Sequence, residues 1–426
     1  MYQIENSAQV LAARRGAPGS RPARPWVNRT VLALGLTSLF TDVSAEMITT
    51  VLPLYLVFGL QLSPLVFGVV DGLYTGATAP VRLLAGLWAD RARRHKEAAV
   101  AGYALSTLSR LGMLAVGNVW TALAGLVFID RVGKGIRTAP RDAMISLATP
   151  REQWAAAFGA HRALDMVGAM GGPVLAFAVL AAVPGGYDAV FVVSLCAGLI
   201  GLGVVALFVR NPPMPAAAGS GAGVSLRAAA RLLRRPGVTG LVVAGSLLGL
   251  ATLSDGFVYL TLQDRLGFDI GFFPLLYVAT SLVFMVLAVP VGRLADRHGR
   301  PRVFTAGYGS LLLIYLLLLT PWAGVGWVVV CLVLLGGYYA ATDGVLMALA
   351  GAVLPARLRT SGMALITTAT SLARLVSSLL FGLLWTVAGT RLAVGVLVAF
   401  LVPALVVAVV VLGRGRREVT DGDAAG

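Results

Sequence analysis

Asp42 and Glu46 stand one helical turn apart within residues 31–58, a stretch that is otherwise apolar or carries only small polar groups. Two carboxylates on one helix face in a low-dielectric medium cannot both stay ionised without counter-charge, so such a pair is expected to hold and release a proton. Arg131 and Lys134, three residues apart within 119–139, share a face of their own helix and can offer that counter-charge. Proton coupling is therefore assigned to Asp42, Glu46, Arg131 and Lys134. Asp-Gly recurs inside three apolar runs, as Asp71-Gly72, Asp255-Gly256 and Asp343-Gly344. Glycine weakens a helix or lets another backbone approach, which suits discontinuous helices at a substrate site; close packing is the plainer reading. Further ionisable groups in apolar runs are Arg82, Arg110, Asp130, Asp165, Arg374 and Arg162, the last beside His161. Each costs at least ~2.5 kcal/mol near a bilayer centre and must face protein or water with a partner. Substrate contact is expected from Asp71, Arg162, Asp165, Asp255, Asp343, Tyr259, Tyr338 and Arg374. The alternative for any one of them is a static ion-pair network between helices. Phe257, Tyr259, Tyr277, Tyr338 and Tyr339 form either a mostly apolar wall of the site or plain core.

The elements that must position these residues are membrane spans. With 58% hydrophobic and 12% charged residues and a mean hydropathy of +0.85, the chain suits lipid as its main solvent. Twelve apolar runs lie near 31–58, 64–88, 98–117, 119–139, 155–182, 189–209, 238–262, 272–292, 303–320, 326–352, 361–386 and 392–412. An even number of spans puts both termini on one side. Of 34 Lys and Arg, 26 fall in the tails and in the loops near 90–96, 137–151, 210–235, 293–302 and 357–359. Arg265 and Arg391 lie on the other side, so both termini are expected in the cytoplasm. The net charge of +15 is then an orientation signal, and nucleic-acid binding is not expected. The polar, Arg/Pro-rich residues 1–26 read as a disordered cytoplasmic tail. The loop 210–237 divides the chain into six-span units at 27–209 and 238–412, with a second tail at 413–426. Within that loop Arg227, Arg231 and Arg234 share a helical face, which suits either an amphipathic helix on anionic lipid or a solvated linker. Cys196 and Cys331 have no paired spacing, and no HExxH, nucleophile elbow or phosphate loop is present, so neither a metal site nor an enzyme is expected.

The two units share a motif at an offset of 206 residues. Gly86-Leu87-Trp88-Ala89-Asp90-Arg91 follows the second run, and Gly292-Arg293-Leu294-Ala295-Asp296-Arg297-His298-Gly299-Arg300 follows the eighth. Both resemble the G-x-L-A-D-R-x-G-R signature of the major facilitator superfamily, and the resemblance covers the whole twelve-span layout. It implies an all-α membrane protein of two six-helix bundles. Spans one, four, seven and ten would then line a central cavity and three, six, nine and twelve would pack outside. The charges follow that division, since six, nine and twelve carry none and three only Arg110. Arg131-Val132-Gly133-Lys134-Gly135 resembles the family's R-x-x-Q-G motif, with Lys134 in place of Gln; the resemblance implies proton coupling for Arg131. Gly168-Ala169-Met170-Gly171-Gly172-Pro173 resembles the first part of the antiporter motif, with Ala176 and Phe177 replacing its last two glycines.

The resemblance implies gating roles for Gly86, Asp90, Arg91, Gly292, Asp296, Arg297, Gly299, Arg300, Gly172 and Pro173. Asp42-Val43-Ser44-Ala45-Glu46-Met47 and the run Asp130 to Ala143 resemble a poorly characterised bacterial branch of the superfamily. The expected function is a monomeric secondary transporter of the bacterial cytoplasmic membrane, surrounded by lipid and without cofactor. It would use the proton gradient to export a small, partly apolar organic molecule by alternating access. Uptake symport of an organic anion or a metal chelate is the alternative, and a non-transporting sensor a remote one.

Overall fold

The computed structural model describes residues 28–81, 94–117, 119–150, 153–211, 231–322, 324–354 and 359–423. Their helices are α1 (Arg29–Leu54), α2 (Pro64–Gly76), α3 (His95–Ala115), α4 (Trp120–Ala148), α5 (Trp154–Ala182) and α6 (Tyr187–Phe208), then α7 (Pro236–Leu250), α8 (Asp255–Leu266), α9 (Phe273–His298), α10 (Arg300–Leu319), α11 (Val325–Val353) and α12 (Arg359–Asp423). Eight stretches of the described chain are long and apolar enough to cross a membrane. One of them, Gly362–Gly413, is two passes: at Gly389 the backbone takes φ 80° and ψ 165°, a conformation open to glycine, and α12 turns there into arms 359–388 and 390–423. Expected spans eleven and twelve correspond to these two arms.

Local chemistry places the helix ends. Asn28 caps α1 by accepting from Thr30 N at 3.2 Å. Pro53, which has no N–H to give to the helix, lies just ahead of a widened last turn at 55–59. Pro64 takes the first position of α2 behind Ser63, where its missing N–H costs nothing. Two expected boundaries are corrected. The seventh run is not one helix: α7 ends at Leu250, residues 251–254 are non-helical, and α8 starts at Asp255, an acid at a helix N-terminus where the backbone dipole favours it. The fourth run does not stop at 139 either, because α4 continues to Ala148. Arg137 and Arg141 are thus helix residues facing protein, and Arg137 is only 4% exposed. They therefore leave the loop charges counted for orientation.

Helices α1 to α6 pack together, α1 lying against α5 and α6, and α3 against α4 and α6. Helices α7 to α12 form a second group, with α7 and α10 on α12 and α9 and α10 on α11. Their outward faces are apolar, with Leu207, Phe208, Val286, Val387 and Val406 exposed where lipid would lie. The groups meet where α2 packs on the first arm of α12 and α5 packs on α9. Among the described residues, two hydrogen bonds join them: Leu65 N donates to Thr386 Oγ1 at 3.0 Å, and Ser378 Oγ donates to Asp71 Oδ2 at 2.5 Å. Phe67, Phe257, Phe381 and Trp385 fill the same end of the junction with ring centroids 4.7–5.9 Å apart. At the far end of α5, by contrast, Arg162 is 71% exposed. The junction is closed toward the 59–63 turn.

Candidate functional site

Helix α5 approaches α1 through glycines. A Cβ at Gly172 would stand 2.7 Å from Glu46 Cβ, 2.8 Å from the Val43 carbonyl oxygen and 3.0 Å from Met47 N, so a larger residue would force the helices apart. Asp165, two turns before Gly172, shares that inward face and is buried. Its carboxyl group and that of Asp42 act on one another electrostatically. Two carboxyl groups so placed in a low-dielectric site are better tolerated when one of them holds a proton. Cations surround this pair. Arg162 Nη1 donates to Asp165 Oδ2 at 2.8 Å, Arg141 Nη1 stands 3.8 Å from Asp165 Oδ1, and Arg137 Nη2 stands 3.8 Å from Asp42 Oδ1. Arg137 also lies over the Tyr103 ring at 4.6 Å. Arg141 donates to Asp142 from Nε and Nη2 and to Ser38 Oγ at 3.2 Å, and Ser38 Oγ in turn lies 3.0 Å from His161 Nε2.

Glu46 lies one turn further along α1 and faces Lys134 and Arg131 of α4 electrostatically; Lys134 acts on Asp42 as well. Arg131 has a different principal partner from the one expected. Asp130 accepts from Arg131 Nε at 2.8 Å and from its Nη2, and also from Arg110 Nη1 of α3 at 2.9 Å. The Arg131 guanidinium stacks 3.8 Å above the Tyr74 ring, whose hydroxyl meets Thr49 Oγ1 at 2.6 Å. Arg131 is therefore a buried strut joining α2, α3 and α4. Lys134 is the more accessible counter-charge of the two.

The second group of helices holds a different site. Asp255, Tyr259, Tyr277, Thr280, Ser281, Phe284, Tyr339 and Asp343 surround a cavity of about 80 Å³ between α8, α9 and α11. Tyr339 Oη donates to Asp255 Oδ1, and Tyr259 Oη donates to Thr280 Oγ1 at 2.7 Å. Asp343 is exposed midway along α11. Of the residues expected at substrate, Asp255, Asp343 and Tyr259 come together here. Asp71 lies at the junction on Ser378, while Tyr338 is core: its ring is buried against Tyr308 and its hydroxyl accepts from Arg374 Nη2 at 3.3 Å. Phe257 is core as well. Arg162 and Asp165 belong to the first group and do not line this cavity, although Arg162 acts electrostatically on Asp343. Of the three Asp-Gly steps, Asp255-Gly256 opens a helix after a break, whereas Asp71-Gly72 and Asp343-Gly344 lie inside continuous helices.

Of the expected gating residues, Gly86, Asp90 and Arg91 of the first motif lie outside the described residues, as does the span residue Arg82. The second motif is placed at the end of α9. Gly299 has φ 100°, Arg300 Nη2 is 3.1 Å from Asp296 Oδ1, and Arg300 Nη1 donates to the Ala348 carbonyl of α11 at 3.2 Å. Arg297 is exposed and Gly292 has open space around it. Gly172 lies in the α1–α5 contact and Pro173 is buried beside it. Sequence reading missed Arg137, Arg141, Asp142, Ser38 and Tyr74. A helical pattern that continues past Pro140 could have signalled the first three.

The chain matches the family model described as Major Facilitator Superfamily over residues 34–289 and 256–425. An uncharacterised MFS-type transporter of Methanocaldococcus jannaschii is 29% identical over 287 residues, covering 66% of this chain and 70% of that one. An uncharacterised protein of Mycobacterium bovis is 34% identical over 212 residues, 49% of this chain and 50% of its own length. Among solved structures, the nucleoside transporter NupG superimposes with a TM-score of 0.74 at 15% identity, covering 90% of this chain and 99% of that one. A bacterial homolog of the human lysosomal transporter Spinster, in an inward-facing and unoccupied conformation, gives 0.71 at 16% identity, covering 92% and 98%. At such identities the likeness concerns the fold.

Proposed function

From the premise that this chain belongs to the major facilitator superfamily, and so is a multispanning membrane transporter rather than an enzyme, we propose that it is a proton-coupled carrier exporting a small, partly apolar organic molecule by alternating access. The observation that carries the reading is the interacting carboxyl pair Asp42 and Asp165 between α1 and α5, ringed by Arg137, Arg141, Arg162 and Lys134. One proton takes the pair from two negative charges to one, and small movements of the surrounding guanidinium groups change how well the fully ionised form is tolerated. Helix α5 also carries the partial antiporter motif, whose Gly168 and Gly172 set the approach to α1. A protein that tightens or loosens this contact therefore changes proton affinity and helix packing in one step, which is the linkage that coupled transport requires.

Glu46 and Lys134 complete the coupling site in this reading, and Arg131 supports it structurally. Asp296 and Arg300 act as a latch between α9 and α11, and Asp90 and Arg91 would be their counterparts in the first half. The basic loops and tails lie in the cytoplasm in this reading, so the closed end of the junction faces away from the cytoplasmic side of the bacterial membrane. The test is a screen of small organic compounds in proteoliposomes under an imposed pH gradient. At least one compound is expected to move against the direction of proton flow. Movement in the same direction as protons, or rates indifferent to the gradient, would overturn the proposal.

A further inference from the structure

The cavity between α8, α9 and α11 holds two carboxylates in an aromatic enclosure, and no basic side chain is part of its lining. Asp255 and Asp343 line it, with Asp71 at the nearby junction. Arg374 acts on both lining acids electrostatically and the exposed Arg162 of α5 acts on Asp343, but among the described residues no ion pair joins either arginine to them. The Arg374 guanidinium is engaged by the Tyr338 hydroxyl at 3.3 Å. The contrast with the first half is direct: Asp130 there accepts from two arginines, and Asp42 and Asp165 have arginines within 3.8 Å. Asp343 has no hydrogen bond among the described residues, and its side chain reaches open cavity space. Its companions are π faces: Tyr259 and Tyr277 meet edge to face with centroids 4.6 Å apart, and Tyr339 closes the wall toward Asp255.

An acid-lined space with aromatic walls and no basic residue in its lining suits a mobile cation. An ammonium group there gains carboxylate hydrogen bonds and the negative faces of the rings together. The cavity, about 80 Å³, has room for a small ammonium head and a few waters. No group of three or more potential metal ligands occurs among the described residues, which turns the chemistry from a metal ion to an organic one. We propose that this cavity binds the cationic head of the substrate, so that the transported class is small organic ammonium compounds with an apolar remainder. The proposal rests on the carrier reading above and names its substrate class. Asp343 supplies the principal carboxylate contact; Asp255, oriented by Tyr339, supplies the second.

The experiment measures binding without a gradient. Purified full-length protein in lipid nanodiscs is titrated calorimetrically with benzylammonium, benzyl alcohol and benzoate, three probes of one size and three charges, at fixed ionic strength. Benzylammonium is expected to bind and the other two not to. Asp343→Asn and, separately, Asp255→Asn should each weaken it roughly tenfold or more, because each removes a charge-assisted hydrogen bond. Tyr339→Phe keeps the ring and both carboxylates and should weaken binding less than either. Monodisperse elution of each variant guards against misfolding. Equal binding of benzyl alcohol, preference for benzoate, no binding of benzylammonium, or binding that survives both aspartate substitutions would overturn the proposal. Because no proton gradient is present, a failure of proton coupling in the wild-type protein leaves this result standing, and the converse holds too.

Discussion

Replacing Asp130 by Asn tests whether the charge cluster of α3 and α4 is a structural strut. The Asp130 carboxylate is 7% exposed and accepts from Arg110 and from two nitrogens of Arg131, each arginine being only 3% exposed. An asparagine of nearly the same shape can offer one carbonyl oxygen but no charge, leaving two guanidinium groups buried against an amide. Removing one partner from a buried ionic network costs about 3–5 kcal/mol. Arg131 retains its place over Tyr74, a contact of about 0.5–2 kcal/mol that the substitution does not touch, so the lower part of that range is expected. The assay is reversible unfolding in mixed micelles followed by far-ultraviolet circular dichroism. A triple replacement, Asp130→Leu with Arg110→Met and Arg131→Met, removes the stranded charges and should recover at least half of the loss. Stability of Asp130→Asn within about 0.5 kcal/mol of wild type, or a triple variant no better than the single one, would refute the strut.

Three further outcomes are expected. Gly172→Leu should destabilise the protein by about 1–3 kcal/mol through overpacking against Glu46 and Val43 and reduce gradient-driven transport further than Gly172→Ala does; equal effects of the two would contradict the close α1–α5 approach. Leu65→Cys with Thr386→Cys, with Cys196 and Cys331 both replaced by Ser, should form a disulfide on mild oxidation and stop transport until reduced, because the Leu65 amide already meets the Thr386 hydroxyl at 3.0 Å. Continued transport by the crosslinked protein would show that this end of the junction does not need to open. Asp296→Asn should slow transport while changing stability by no more than about 0.5 kcal/mol, since its pair with Arg300 is solvent-exposed. A large stability loss with full transport would reverse that assignment.

The spans were legible because lipid permits few charges, and long apolar runs betray themselves whatever packs against them. The break in the seventh run was hidden because Ala251, Thr252 and Leu253 continue its apolar character. The one local sign was Ser254 before Asp255, a helix start within a span. The proposed proton site was legible only in part. Sequence spacing shows which residues of one helix share a face, so Asp42 was matched to Glu46, four positions away. The acid that acts on it across the helix contact, Asp165, lies 123 positions away, brought in by glycines whose role depends on what they approach. Asp165 could have been placed toward α1 from its spacing to Gly168 and Gly172, had those been read as a contact face. Asp130 and Arg131 misled for the opposite reason. Adjacent helix residues ordinarily diverge, but a long arginine side chain can fold back to its neighbour, and Arg110 from α3 fixes the carboxylate between them. The tyrosines of the second half could not be sorted into core and cavity by type, since Tyr338 and Tyr339 are consecutive and only one of them lines the space.

The central claim is that the Asp42–Asp165 carboxyl pair carries the coupling proton. The direct measurement compares two modes of transport in proteoliposomes, using a compound identified by the gradient screen, for wild type and for Asp42→Asn with Asp165→Asn. Counterflow, which needs binding and alternation but no net proton movement, should persist in the double variant, while accumulation driven by the pH gradient should fall to the level of empty liposomes. Gradient-driven accumulation that continues at the wild-type rate in the double variant would contradict the claim.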